Sequence, residues 1–579
     1  MKKVEKKQEN SSFLQKFYAF WASLSDNTAK LSRKDFIILG ILVVFYLIIS
    51  FYHLGTLNSP KTYYNFKTEG EVVSVYLSNG SQDISKIRYY TGAETGTFSV
   101  IASNDGDTYQ EIATLEEKSV FAWEDLEVDT NFKYLKFVSK TDGSYIGEIQ
   151  LYNKYGEKVL AQAMDEQSMV LVDEMDTVPA QISYLNSTYF DEIYFARSAY
   201  EYIHGINAME WVHPPLGKLI MALPILLFGM STFSYRLMGT LAGVIMIPVI
   251  YILAKRIFKN RKWASLAGIL MTFDCFHFAQ TRMGTVDSFL VLFIMLSVLF
   301  MYQYIDLDSN AKLKTRLLNL FLSGLFIGCA ISTKWTGLYA GLGLAIVFFT
   351  NLVYKNVVKK EKDKNLLEII ISCCFFFIVI PITIYILGYL LFPNVVNYHN
   401  NSISGILKQI SDMYYYHSHL TETHPFQSAW YTWPIMYKPV WYYVGYYGGN
   451  IKSTIVGIGN PVIWWSGILA FVYVLISAIK TRKKELLFIL VFVLCNFLPY
   501  VFIGRAMFMY HYFPTLPFIM LAIVAFIKWI TEKINNNNVY IYYTILVIFT
   551  FMIFYPVISG MLTTSDYIDS LKWLSSWIF

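Results

Sequence analysis

Two adjacent carboxylates, Asp191 and Glu192, open the most polar stretch that still reads as membrane-bound, Tyr189 to Lys218, YFDEIYFARSAYEYIHGINAMEWVHPPLGK. Paired acids beside an apolar run are costly unless something uses them. An acid here can deprotonate a hydroxyl nucleophile or hold a metal. It can also sit at a helix amino terminus and satisfy backbone donors. Cations surround the pair in sequence: Lys218, Arg236 in SYRLMGTLAG, Arg282 in QTRMGTVDSFL, and Arg505 with His511 in GRAMFMYHYFP. Guanidinium groups match phosphate in a fork geometry, so these residues suit an anionic leaving group. The alternative is a set of snorkelling arginines plus a structural pair with Asp287. His417, His419, Glu422 and His424 follow no zinc-ligand spacing, and no metal is assigned. Trp430 and Trp433 can stack on a sugar or belong to an aromatic belt.

The elements that must position these groups are membrane helices. The chain has 579 residues, 55% hydrophobic, with a mean hydropathy of +0.40 and 18% aromatics. That composition and its repeated apolar runs predict a polytopic α-helical membrane protein in the lipid bilayer. The expected spans are 35–55, then 237–254, 263–281, 286–304, 317–333, 337–354, 366–392, 461–479, 485–503, 514–530 and 539–558, about eleven. The apolar stretch 219–230 is too short to cross and is expected to be re-entrant or interfacial. Residues 1–34 are basic. The net charge of +5 is spread over short clusters between spans, which argues against nucleic acid. The five cysteines lie in apolar segments and offer no disulfide framework. Lys255-Arg256, Lys312 to Arg316, Lys355 to Lys364 and Lys480 to Lys484 fall on the amino-terminal side, which the positive-inside rule makes cytoplasmic. The candidate residues, the loop 393–460 and the tail 559–579 then face outward. Residues 62–158 alternate with period two between turn signals, as a small extracytoplasmic β-sandwich would.

The acidic pair followed by HPPLGK, then STKWTGLYA, HPFQSAWYTWP and RAMFMYHYFP in that order, resembles the bacterial protein O-mannosyltransferases. These are polyprenol-phosphate-mannose-dependent enzymes of glycosyltransferase family 39 in the C superfamily. The resemblance covers Tyr189 to about Pro517, within a membrane domain 185–558. The segments FSVIASNDGDTYQEIA and YLKFVSKTDGSYIGEIQLY look like discoidin-type, carbohydrate-binding sandwiches. The eukaryotic enzymes carry a β-trefoil in a later external loop. This chain lacks it and places a sandwich in the first external loop instead.

The resemblance implies a glycosyltransferase C fold and transfer of mannose from polyprenyl-phosphate mannose to Ser or Thr hydroxyls of exported proteins, with inversion. It implies Asp191 as general base and Glu192 as its helper or an acceptor contact. Arg236, Arg505, Lys218, His511 and Arg282 would hold the donor phosphate. His213, Lys334, Trp335, His424, Trp430 and Trp433 would contact sugar or acceptor. No cofactor is identified, and divalent-metal dependence stays open. The sandwich would bind glycan or acceptor and stand apart from the chemistry. A related transferase acting on a lipid or cell-wall glycan shares the same residues. A sugar or lipid transporter would need polar groups at mid-membrane and ranks last.

Overall fold

The computed structural model describes residues 30–361, 363–390 and 402–579. Most of the basic amino terminus, the end of the expected span 366–392 and the start of the loop 393–460 lie outside them.

Among the described residues ten helices are long and apolar enough to cross a membrane: Arg33–Phe51, Thr232–Phe258, Asp287–Asp306, Leu313–Thr333, Gly337–Val358, Leu366–Leu390, Pro461–Thr481, Lys484–Phe502, Met509–Ile534 and Asn538–Ser559. Leu216–Phe228 is apolar but only 13 residues long, as expected. The expected span 263–281 differs. It is two helices, Arg261–Thr272 and Cys275–Thr281. Asp274 causes the break. Its Oδ1 accepts the His277 backbone N–H at 2.8 Å and caps the second helix. Its Oδ2 accepts Trp464 Nε1 at 2.9 Å and the Asn460 N–H at 3.2 Å. Asn460 Nδ2 satisfies the freed Phe273 carbonyl at 2.9 Å. Hydropathy does not register an aspartate that prefers capping to helix interior.

The two ends of the bundle differ in charge. At one end Asp35, wholly buried, closes a capping box with Ser32. It also accepts Tyr251, Lys255 and Arg261, so the first helix is anchored among the basic clusters. At the other end Arg282 donates to the carbonyls of Ser50, Tyr52, His53 and Ser559. It joins the carboxy-terminal ends of Arg33–Phe51 and Asn538–Ser559, where a cation suits the helix dipoles.

Residues 64–163 form two five-stranded sheets, in which every strand pairing is antiparallel. Strand Tyr134–Ser139 alternates half-buried and buried along its length, the period-two signal of a sheet with one covered face. Val73, Val75, Phe98 and Phe137 from one sheet share a core with Ile84, Ile87, Ile149 and Leu151 from the other. A smaller sheet at the same end of the molecule pairs Val440–Tyr446 with Ile451–Gly457, and the latter with Thr563–Thr564. The tail 560–579 packs back onto this end, with Trp577 Nε1 on the Met436 carbonyl at 2.7 Å.

Candidate active site

The helix Glu192–His204 starts at Asp191. The residue before it, Phe190, has φ 50°, a left-handed conformation uncommon outside glycine. The turn sends the two acids to different places. Glu192 is fully buried. Its carboxylate accepts Arg236 Nε and Nη2 at 2.7 Å each, the Gly284 N–H at 2.9 Å, the Tyr189 N–H at 3.2 Å and Tyr235 Oη at 3.3 Å. Asp191 is half-buried, and its carboxylate takes no hydrogen bond from the described residues, not even as a cap on its own helix. Burial first, then the nearby charge of Asp287, push its carboxyl up to about 7, against the opposing pull of Lys334. The helix-cap reading therefore fails for Asp191, whereas Glu192 sits in the first turn and does accept backbone N–H groups, of Tyr189 and Gly284, beside its pair with Arg236.

Several expected phosphate ligands are already spent. Arg236 is 1% exposed. Besides Glu192 it donates to the carbonyls of Leu54, Tyr184 and Ser187, which uses all its donors. Arg282 is occupied by helix ends, as above. Lys218 is fully buried, and its ammonium is held by the Glu210 carboxylate and carbonyl and by the His213 carbonyl. These three corrections share one reason: a guanidinium or ammonium with saturated donors has nothing left for an incoming anion. Arg505 is different. It is half-buried, and no described residue accepts a bond from its guanidinium. It lies within electrostatic reach of Tyr510, as Asp191 and Asp287 do.

Asp287 stands at the amino terminus of the helix Asp287–Asp306 and pairs with Lys334 at 2.9 Å, not with Arg282. The Lys334 ammonium also lies 5.6 Å from the Tyr510 ring centre. Tyr442, which donates to Gln280 at 2.6 Å, packs against Phe190 at 4.7 Å. Asp191, Asp287, Lys334, Tyr442 and Tyr510 thus cluster at the non-basic end, with Arg505 within electrostatic reach of Tyr510; we term this cluster the recess.

A second polar cluster borders it. Glu210 binds both Lys218 and His213 Nδ1, the latter at 2.7 Å. Burial alone would raise Glu210, but the Lys218 ammonium first, and the hydrogen-bonded His213 after it, outweigh burial and hold the carboxyl at about 2. Burial lowers His213. His417, on the helix Ile403–His419, lies 5.4 Å from His213 and 6.1 Å from Trp335, ring to ring, and bonds the Val212 carbonyl at 2.8 Å. Burial brings it down to about 4. Trp335 is half-buried, its Nε1 on Tyr385 Oη at 3.1 Å. His424 is exposed, and Trp430 is half-buried on Phe497. Trp433 differs from expectation. It is 1% exposed, bonded to Ser428 Oγ and sandwiched among His511, Tyr500 and Phe497, so it is core and not an open sugar platform. His511 is 7% exposed, with Nδ1 engaged by the Phe508 backbone.

Glu210, Tyr442 and Tyr510 were missed in the sequence. An acid eight residues before Lys218 is a weak signal, and two tyrosines among forty-five carry none.

Comparison with known proteins agrees with this architecture. A family model described as dolichyl-phosphate-mannose-protein mannosyltransferase matches residues 226–392. A second, the C-terminal four-transmembrane region of protein O-mannosyltransferase, matches 404–577. Together they span more than half of the chain, and neither reaches the β domain. The chain is 25% identical over 457 residues to a polyprenol-phosphate-mannose–protein mannosyltransferase of Mycolicibacterium smegmatis, covering 67% of this chain and 87% of that protein. The Corynebacterium glutamicum enzyme of the same name is 26% identical over 427 residues, 63% and 81%. Among solved structures, the Saccharomyces cerevisiae Pmt1–Pmt2 complex bound to the sugar donor matches with a TM-score of 0.60 at 14% identity, over 68% of this chain and 89% of that one.

Proposed function

The chain belongs to the protein O-mannosyltransferases, and from that premise we propose how its recess carries out the transfer. It is a multi-pass membrane glycosyltransferase that uses polyprenyl-phosphate mannose to mannosylate protein. Asp191 is the general base. It takes the proton from a Ser or Thr hydroxyl of an exported protein as that oxygen attacks the anomeric carbon. The bond from that carbon to the phosphate oxygen breaks, and the lipid phosphate leaves with the electron pair. Attack opposite the leaving group inverts the anomeric centre. Arg505 receives the phosphate charge, with His511 beside it. Lys334, neutralised by Asp287, keeps the recess from being a bare pair of acids. His213, Trp335, His424 and Trp430 border the space for sugar and acceptor. Positioning and charge stabilisation supply most of the rate, since phosphate is already a good leaving group.

The single observation that carries this reading is the contrast in bonding. Asp191 and Arg505 are the acid and the arginine of the recess that no described side chain satisfies. An apolar groove of about 460 Å³, lined by Ile327, Ile331, Leu338, Leu342, Phe349 and Phe377, supports the donor's placement. It lies between Leu366–Leu390 and the two helices whose connecting turn carries Lys334 and Trp335, so a polyprenyl tail seated there brings its phosphate to the recess. The basic clusters at the opposite end support an extracytoplasmic site, and the β domain is the surface on that side for whole-protein acceptors or their glycans.

The test is direct. The purified protein, given polyprenyl-phosphate mannose and a Ser/Thr-rich peptide, is expected to add one hexose to the peptide, read by mass spectrometry. Hexose appearing on a lipid or cell-wall glycan but never on peptide overturns the acceptor class.

A further inference from the structure

The β domain grips the residues that lead into Asp191. Thr188 donates its backbone N–H to the Phe121 carbonyl at 3.3 Å and its hydroxyl to the Val120 carbonyl at 2.5 Å. Ser119 Oγ lies 3.2 Å from Thr188 Oγ1. The Trp123 N–H donates to Ser187 Oγ at 3.0 Å. On the far side of Asp191 the Phe121 ring packs edge-on against Tyr200 at 4.9 Å, and Glu94 pairs with Arg197. The contacts bracket the acid, at Ser187 and Thr188 before it and at Arg197 and Tyr200 after it. The gripping loop is itself fixed, because Glu124 accepts the N–H groups of Lys118 and Ser119.

Backbone strain marks the same joint. Phe121 has φ 48° in the loop, and Phe190 has φ 50° beside Asp191. Such a conformation persists only where its surroundings over-determine it. One strained residue lies on either side of the joint. Neither family model reaches residues 1–225, which hold this joint.

We propose that the β-domain loop Lys118–Trp123 is a positioning element of the transferase site, holding Thr188 so that Asp191 is aimed into the recess. The inference rests on Asp191 being the base. It makes the β domain a part of the machinery, where the sequence suggests a separate binding module. The acid's surroundings are Asp287, Lys334 and Glu210, with Tyr442, Tyr510 and Arg505 close by. A loosened joint lets water in among them, which weakens the burial that keeps Asp191 protonated below neutral pH.

The full-length double variant Ser119→Cys/Thr188→Cys tests this with a short peptide and polyprenyl-phosphate mannose. Oxidised, the pair is expected to close the joint and turn over near the wild-type rate. Reduced, it is expected to lose about tenfold or more in kcat, keep its donor KM, and shift the acid limb of the rate to lower pH. Thr188→Val, which keeps shape and removes the bond, should behave as the reduced pair does. A kcat and acid limb unmoved by reduction overturn the proposal. So does a pair that binds donor but is inactive in both redox states. Normal turnover by Asp191→Asn sinks the base assignment itself. A dead Asp191→Asn beside fully active joint variants sinks only the positioning role.

Discussion

Glu192 and Arg236 meet fork to fork in the buried interior, Nε and Nη2 each 2.7 Å from one carboxylate oxygen, though 44 residues separate them in the chain. Breaking a buried pair leaves an uncompensated charge, which costs roughly 3–5 kcal/mol. Glu192→Gln is therefore expected to lower the melting temperature in detergent and the yield of folded protein. A variant as stable as wild type contradicts the pair's structural role. The sequence suggests Glu192 as a helper or an acceptor contact; the structure makes it a buried scaffold acid.

Asp191→Asn should do the reverse. Its carboxylate takes no hydrogen bond from the described residues, so the melting temperature and donor affinity should hold. Asparagine cannot take a proton at neutral pH, and turnover should fall by about a hundred- to ten-thousandfold. Product formation at the wild-type rate removes Asp191 from the mechanism.

The pH profile follows from the position of that acid. Burial and Asp287 place its carboxyl at about 7, and only the deprotonated form is a base. The rate is expected to rise with pH through about 7 and level off above it. Since the folded-state value lies above the unfolded one of 3.8, the same group's contribution to stability is full below about 4 and is lost as pH rises through 7. Lys334→Met removes the opposing cation, so the acid limb should move to higher pH. A limb that stays at wild-type pH dissociates Lys334 from Asp191.

Arginines 505 and 282 separate ligand from scaffold. Arg505→Ala loses a charge-assisted bond to phosphate, worth about 1.5–3 kcal/mol, or roughly ten- to hundredfold in donor affinity. It should leave stability unchanged, because no described residue accepts a bond from it. Arg282→Ala strips four carbonyls of their donor and should destabilise the protein. Unchanged donor kinetics in Arg505→Ala would return that arginine to the membrane interface.

Topology is checked with cysteines at the exposed positions Thr108 and Ser418 against one at Lys359. An impermeant thiol reagent on intact cells should label the first two and spare the third. Labelling of Lys359→Cys alone reverses the orientation.

The spans other than 263–281, the basic end and the β alternation were legible because each is a local pattern of period, charge or composition. What was not legible depends on partners far along the chain. Arg236, Arg282 and Arg505 look alike in sequence, each at the edge of an apolar run. Only their acceptors separate them: a carboxylate 44 residues away, the carbonyls of two helix ends, and none among the described residues. Trp433 reads as a belt residue because hydropathy cannot tell a lipid-facing ring from one enclosed by His511 and Tyr500. The break at Asp274 is invisible until Trp464 and Asn460 arrive to satisfy it.

Arg282 also bears on how the molecule is made. Its carbonyl partners lie more than two hundred residues away on either side, at Ser50 and at Ser559. The strand Ile451–Gly457 likewise waits for Thr563–Thr564. As the ribosome feeds helices into the bilayer one by one, the first helix enters with its carboxy-terminal end unfinished until Arg282 arrives, and the joint with Asn538–Ser559 closes only when that helix has emerged. Synthesis and assembly therefore run in different orders, and a chain stalled before that helix exposes the open seam to quality-control proteases.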